Sequence, residues 1–213
     1  VEAQSETVWR QADRYHVPRI CFINKLDRIG ADFERTFGQI ADRLAAQPIA
    51  VQIPIGVGAP PQPDALRGVV DLIEMRALYF EPETQGAKVE VAEIPENLRE
   101  AADRWRQKLM ETVSMIDDDI MARYLEGEAI APDDIHRVLR AATLHGQLQP
   151  TFCGASLDFI GVQPLLDGVT RYLPSPLDVP PVEGDHPNPK KKERQVRRCD
   201  RAEPFCGLLF KIV

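Results

Sequence analysis

A chain of 213 residues with a formal charge of −7 and a pI near 5.2 lacks the overall positive charge with which proteins grip nucleic acid through its phosphates. Its 44% hydrophobic and 28% charged residues fit an ordinary globular protein with one substantial core or two modest domains, and no stretch approaches the roughly 20 apolar residues of a membrane-spanning helix. Cys21, Cys153, Cys199 and Cys206 are widely spaced, with no Cys-x-x-Cys pair and no His at zinc-finger spacing. That pattern signals neither a disulfide framework nor a zinc site and suits a reducing, cytoplasmic compartment.

Residues 2–15 read as a helix without the charged start and apolar centre of a signal peptide, and with Val1 in place of Met the chain is expected to be a piece of a longer protein. PRICFI, 18–23, is a short apolar, partly β-branched run after a proline, as a buried parallel strand should be. It ends in the polar tetrapeptide Asn24-Lys25-Leu26-Asp27. Phe33, Phe37, Ile40 and Leu44 then recur at helical spacing, with Asp32 available as a cap.

The texture changes after this helix. PIAVQIPIG (48–56), LRGVVDLIEMRALYF (66–80) and the alternating AKVEVAEI (87–94) are predicted strands, with the Pro/Gly-rich GVGAPPQPD (56–64) as the loop between the first two. Helices are predicted over 96–113, 118–126 and 132–145, the last opening at Pro132 and closing at Gly146. The strand–loop–helix grammar of residues 18–44 then returns: PTFC (150–153), GASLDFIG (154–161), and an apolar face of Val162, Leu165, Leu166, Val169 and Leu173, stopped by Pro174 and Pro176. Two parallel strands this far apart exceed the ~30 residues of a βαβ crossover, so something has been inserted between them. The expected fold class is α/β: a two-strand part of a doubly wound sheet, 1–47 and 147–180, with an inserted α+β subdomain, 48–146, that has a core of its own. A polar, mobile linker over 181–203 and the first strand of a following domain over 204–213 complete the reading. The Lys/Arg cluster at 190–201 reads as a solvated connector, with phosphate contact as the alternative.

Open parallel sheets bind ligands beyond the carboxyl ends of their strands, where Asn24–Asp27 would lie. Guanine offers two adjacent donors, its ring N1–H and 2-amino group, and one ionised carboxylate can accept both. Asp27 suits that role. Adenine presents an acceptor at N1 and no 2-amino group, and sites built to bond a donor reject analogues lacking it by ~10⁴–10⁵. Asn24 can bond the other edge of the base and tie loops together, while the aliphatic stem of Lys25 can cover a ring face. A plain polar turn after a strand is the competing explanation. Asp27–Gly30 and Asp158–Gly161 also spell Asp-x-x-Gly, but each follows a base-side loop and neither reads as a switch.

Taken together, VEAQSETVWRQADRYHVPRICFINKLDRIGADF, PIGVG followed by GVVDLIEMRALYF, RYLPSPLDVPPV and EPFCGLLFKIV resemble the elongation factor G family of translational GTPases over nearly the whole chain. The resemblance implies a P-loop-GTPase-type sheet, a GTP/GDP site in which Asn24, Lys25 and Asp27 read the base with Leu26 as spacer, and a β-barrel domain opening at 204–213. It also implies a second base-side loop, Cys153–Leu157, whose backbone N–H groups, Ser156 foremost, meet the guanine carbonyl. The family usually places Ser then Ala where this chain has Ala155 then Ser156, which removes the supporting hydroxyl from the first position. The insert would face the ribosomal stalk protein, with Asp117, Asp118, Asp119, Glu126, Glu128, Asp133 and Asp134 as acidic surface. Helix-start roles compete for those carboxylates, and a metal site at Asp117–Asp119 is the outlying reading.

No Gly-x-x-x-x-Gly-Lys-Ser/Thr occurs, so the nest that holds the phosphates and the Mg²⁺-ligating hydroxyl are missing from this sequence. The family function, GTP hydrolysis driving ribosomal translocation of tRNA and mRNA, is therefore expected of the full-length protein, and the chain alone is expected to be inactive and a weak nucleotide binder. A ribosomal protection or peptide-release GTPase, or a non-catalytic module that binds the stalk, are the alternatives. His16, His136, His145 and His186 are scattered and suggest no catalytic triad.

Overall fold

The computed structural model describes residues 1–186, 188, 190, 191, 193–207 and 211. They form two compact units, residues 1–173 and 174–213. No helix among the described residues is long and apolar enough to cross a membrane.

The first unit opens with α1 (Ala3–Arg14), β1 (Cys21–Ile23) and α2 (Phe33–Leu44). Helix α2 starts where the sequence places it: the Asp32 side chain accepts from Arg35 N–H at 2.9 Å, and Phe33 and Ile40 bury its inner face. The segment PIAVQIPIG, expected as one strand, is two. Its first half, β2 (Pro48–Ala50), pairs in parallel with β7 (Gln149–Cys153), and its second half, β3 (Gln52–Ile55), opens an antiparallel sheet with β4 (Gly68–Asp71), β5 (Arg76–Phe80) and β6 (Val89–Ala92). Val51 is the joint. Its N–H donates to Thr151 O in one sheet at 3.1 Å, and its carbonyl accepts from Leu72 N–H in the other at 3.0 Å.

The parallel sheet therefore has three strands, in the order β1-β7-β2, where the sequence reading expected two. The β1–β7 pair is parallel and in register from Cys21 opposite Thr151 to Ile23 opposite Cys153, so both strands end at the same level. This shared end places the two loops discussed below side by side. Helices α3 (Glu96–Ser114), α4 (Asp118–Leu125) and α5 (Pro132–Leu144) follow β6, and α6 (Val162–Tyr172) follows β7.

The insert has no core to itself, contrary to expectation. One apolar cluster joins Ile23, Leu26, Phe33 and Ile40 to Ile53, Val69, Val70 and Leu78 of the antiparallel sheet and to Trp105 of α3. A second joins Leu109, Val113, Ile135 and Leu139 of the insert helices to Phe152 of β7 and Tyr172 of α6. Burial of these side chains is worth about 1.5–3 kcal/mol each. Because both clusters span insert and parallel sheet, the two form one packed unit. Asp117 caps α4, accepting from Ile120 N–H at 3.1 Å, and pairs with Arg137 at 2.9 Å. The backbone bond first, then the Arg137 contact, hold its carboxyl below the usual carboxylate range. A capping role thus accounts for Asp117, and among the described residues no acidic, His or Cys group is arranged to hold a metal.

In the second unit, the segment read as a mobile linker carries an antiparallel hairpin of β8 (Val182–Asp185) and β9 (Arg194–Arg197). Residues 204–207 are not strand, and 208–210, 212 and 213 lie outside the described residues. Half of the segment expected as a strand, 204–213, falls on these.

Two features of the α5–α6–β7 seam give testable consequences. A methyl added at Gly168 of α6 would stand 2.3 Å from Cζ of the buried Phe152 ring. Gly168→Ala should therefore destabilise the chain by about 1–3 kcal/mol despite the gain in helix propensity. Denaturant unfolding checks this, and Phe152→Leu in the same chain should recover most of the loss. At the same seam, Arg171 Nη1 lies 3.1 Å from His136 Nε2, and His136 Nδ1 lies 2.6 Å from Tyr172 Oη. An Arg can only donate, so Nε2 accepts and the Nδ1–H donates to Tyr172. Burial and then the Arg171 charge lower the His136 pKa, opposed by Asp71, Glu74 and Asp133. A His with a depressed folded pKa contributes stability that is present above its unfolded value of about 6.5 and lost as pH falls toward the folded one. The wild-type unfolding midpoint should thus drop between about pH 7 and pH 5 more steeply than that of His136→Phe. Equal slopes would show the seam does not titrate.

Candidate functional site

Strand β1 carries an apolar run whose last buried residue is Ile23, after which the chain turns polar and leaves the sheet. Asn24 holds the turn. Its Oδ1 accepts from Lys25 N–H at 2.8 Å and from Ser156 N–H at 2.9 Å, and its Nδ2 donates to Ser156 Oγ at 2.9 Å. Two backbone donors on Oδ1 fix which end of the amide is oxygen. Lys25 sits at φ 63°, a left-handed position that a non-glycine residue takes at some cost. The Asn24 bond to its N–H offsets that cost. An amide has two donors, so one Nδ2–H of Asn24 remains after the bond to Ser156.

Leu26 is the anchor of the tetrapeptide. Its side chain is 1% exposed, its N–H donates to Gly154 O at 3.2 Å, and its carbonyl accepts from Gly58 N–H at 2.7 Å. The spacer is thus the residue that pins the loop, while Asn24 and Lys25 on one side and Asp27 on the other stand outside the core. Asp27 keeps its side chain 16% exposed and faces Arg28 Nε at 3.3 Å, in a pair whose Arg is 66% exposed. Such solvent-screened pairs are worth about 0–1 kcal/mol, so a ligand that satisfies both carboxylate oxygens displaces the arginine at little cost.

The second loop leaves β7 at Cys153. Ala155 and Ile160 exchange both backbone bonds at 3.0 Å, closing a turn whose tip, Ser156–Asp158, is a single 3₁₀ turn. Ala155 is buried, whereas Leu157 is exposed at the tip. The Ser156 N–H, foremost among the expected base donors, is taken by Asn24 in this structure. With Ala155 N–H on Ile160, the turn donor left over is Leu157 N–H. Position 155 is apolar and closed, and the hydroxyl of 156 meets Asn24.

The structure therefore brings Asn24 and Ser156 into direct contact, with Lys25 N–H on the same Asn24 amide and Leu26 buried next in the chain, while Asp27 faces Arg28. Sequence reasoning missed Gly58, whose N–H closes on Leu26. The only signal was the Gly-Val-Gly run after β3. Cys21 and Cys153 flank the loops but are buried. Burial pushes the Cys21 thiol up to about 11 and Cys153 up further, so neither is a nucleophile at neutral pH.

Asn24→Ala removes both links to Ser156 while touching little of the core. Global stability should fall by only about 1 kcal/mol. Amide exchange at Ser156 should quicken at least ~10-fold, whereas exchange in β4 should stay unchanged. Unaltered protection of Ser156 would show the link to be unimportant.

The chain is similar to known proteins over nearly its whole length. Residues 1–175 match the family model described as the elongation factor Tu GTP binding domain. The chain is 50% identical over 214 aligned residues to elongation factor G of Salinibacter ruber (strain DSM 13855 / M31), a match that covers 100% of this chain and 29% of that protein. A crystal structure from Thermus thermophilus superposes with a TM-score of 0.71 at 26% identity, covering 85% of this chain and 26% of the other. The chain thus spans under a third of the length of these relatives.

Proposed function

The chain belongs to the family of the elongation factor Tu GTP-binding domain, and from that premise we propose that it is the base-reading part of the GTPase domain of an elongation factor G. In the full-length protein, hydrolysis of GTP with Mg²⁺ would drive translocation of tRNA and mRNA on the ribosome, in the cytoplasm. The observation that carries the reading is the Asn24–Ser156 pair, which ties two loops at the shared end of β1 and β7 in a chain 50% identical to elongation factor G.

Asp27 accepts from guanine N1–H and the 2-amino group, leaving Arg28 to solvent. Asn24 gives its remaining Nδ2–H to the far edge of the base, and the Lys25 stem lies over one ring face. The guanine carbonyl is met by the turn at 155–157, through Leu157 N–H or through Ser156 N–H shared with Asn24. Selectivity follows from unmatched polar groups: adenine would leave the Asp27 carboxylate desolvated against a lone pair. The phosphate loop and Mg²⁺ ligands have no counterpart in this sequence, so the isolated chain should neither hydrolyse GTP nor bind it tightly. The insert, 48–146, is the part we assign to the stalk protein.

Asp27→Asn in the full-length factor puts an amide N–H opposite the base's 2-position. Preference should move from guanine to xanthine nucleotides, with GTP affinity falling ~10²–10⁴-fold, as competition binding would measure. Retained GTP preference would remove Asp27 from the site.

A further inference from the structure

We infer that Gly58, in the insert, is a positioning residue for the base-reading tetrapeptide, so that the insert as well as the parallel sheet determines where the Asp27 carboxylate stands. This rests on the assignment of Asn24–Asp27 as the guanine site. A peptide group is planar, so the carbonyl of Leu26 lies in one rigid plane with the nitrogen and Cα of Asp27. Gly58 N–H holds that carbonyl at 2.7 Å. The preceding plane, between Lys25 and Leu26, is held by the bond from Leu26 N–H to Gly154 O at 3.2 Å. The second base-side loop therefore pins one side of the buried spacer, and the insert pins the other.

Gly58 is itself stapled to its own sheet. Its carbonyl accepts from Leu66 N–H at 2.9 Å, Val57 N–H donates to Asp64 O at 2.7 Å, and Arg67 N–H donates to Ile55 O at 2.9 Å. Displacement of the β3–β4 connection is thus passed to Leu26 through a short hydrogen bond. The position requires glycine because φ is +93°, while the space a methyl would occupy is limited only by the flexible end of Gln62, 2.8 Å from it. Substitution acts through the backbone and turns the N–H away from Leu26. The insert also backs the second loop, where Gly86 accepts from Gln163 Nε2 and packs on Phe159, three residues after Ser156.

The test compares Gly58→Ala with Gly127→Ala in the full-length factor, using fluorescent GDP and IDP, which lacks the 2-amino group. Gly127 is also in the insert at positive φ, +74°, with nothing within 4 Å of an added methyl and its N–H on Tyr124 O, so substitution there strains the backbone without touching the brace. Gly58→Ala should weaken GDP binding about 10-fold and IDP binding less, narrowing their ratio, while Gly127→Ala leaves the ratio at the wild-type value. A wild-type ratio in folded Gly58→Ala overturns the inference. A wild-type factor that does not distinguish GDP from IDP overturns the base-site assignment first, and the inference with it. If Gly58→Ala does not fold, amide exchange in the wild-type factor decides: saturating GDP should slow exchange at Gly58 several-fold relative to Gly127, and equal slowing at both overturns the brace.

Discussion

One asparagine side chain holds the candidate site together. Asn24 ends β1, Ser156 follows β7, and the three hydrogen bonds made by the Asn24 amide convert two neighbouring strand ends into one surface. The strands do the preliminary work, since their parallel register brings Ile23 level with Cys153. Without the Asn24 link the loops would keep the Leu26 N–H bond to Gly154 O but lose the tie that orients Ser156, leaving the 155–157 turn free to present its polar groups in another direction. With it, Lys25, Asp27 and the 155–157 turn share one frame. The chemistry assigned to Asp27 depends on that frame, because a bidentate carboxylate contact tolerates little angular error.

Much of this was legible in the sequence. Apolar runs bounded by polar turns located β1 and β7, helical periodicity and Asp32 located α2, and an excessive separation between like units exposed the insertion. The tetrapeptide stood out because it sets an amide, a cation and a carboxylate beyond the carboxyl end of a parallel strand, where open sheets bind ligands. What escaped was long-range pairing. PIAVQIPIG gives no local sign that Ala50 belongs to one sheet and Gln52 to another; Val51 decides it through partners that lie far along the chain, Leu72 and Thr151. The β8–β9 hairpin escaped for a different reason: all four residues of β8 are exposed, so no alternation of apolar and polar residues marks it.

Ala155 and Ser156 are adjacent residues with separate tasks. Here Ala155 fills an apolar gap and Ser156 carries the hydroxyl outward. The insert reads as a separate subdomain by composition, yet its apolar side chains share both clusters with the parallel sheet, and it is tied to the tetrapeptide through Leu26. An insertion packed this way can transmit displacement to the sheet ends it covers.

The most direct measurement is a crystal structure of the full-length factor with GDP bound. The account requires both Asp27 carboxylate oxygens at hydrogen-bond distance, about 2.7–3.2 Å, from guanine N1 and the 2-amino nitrogen, with Asn24 still bonded to Ser156. A base bound elsewhere, or an Asp27 that remains on Arg28 while the nucleotide is in place, would contradict it.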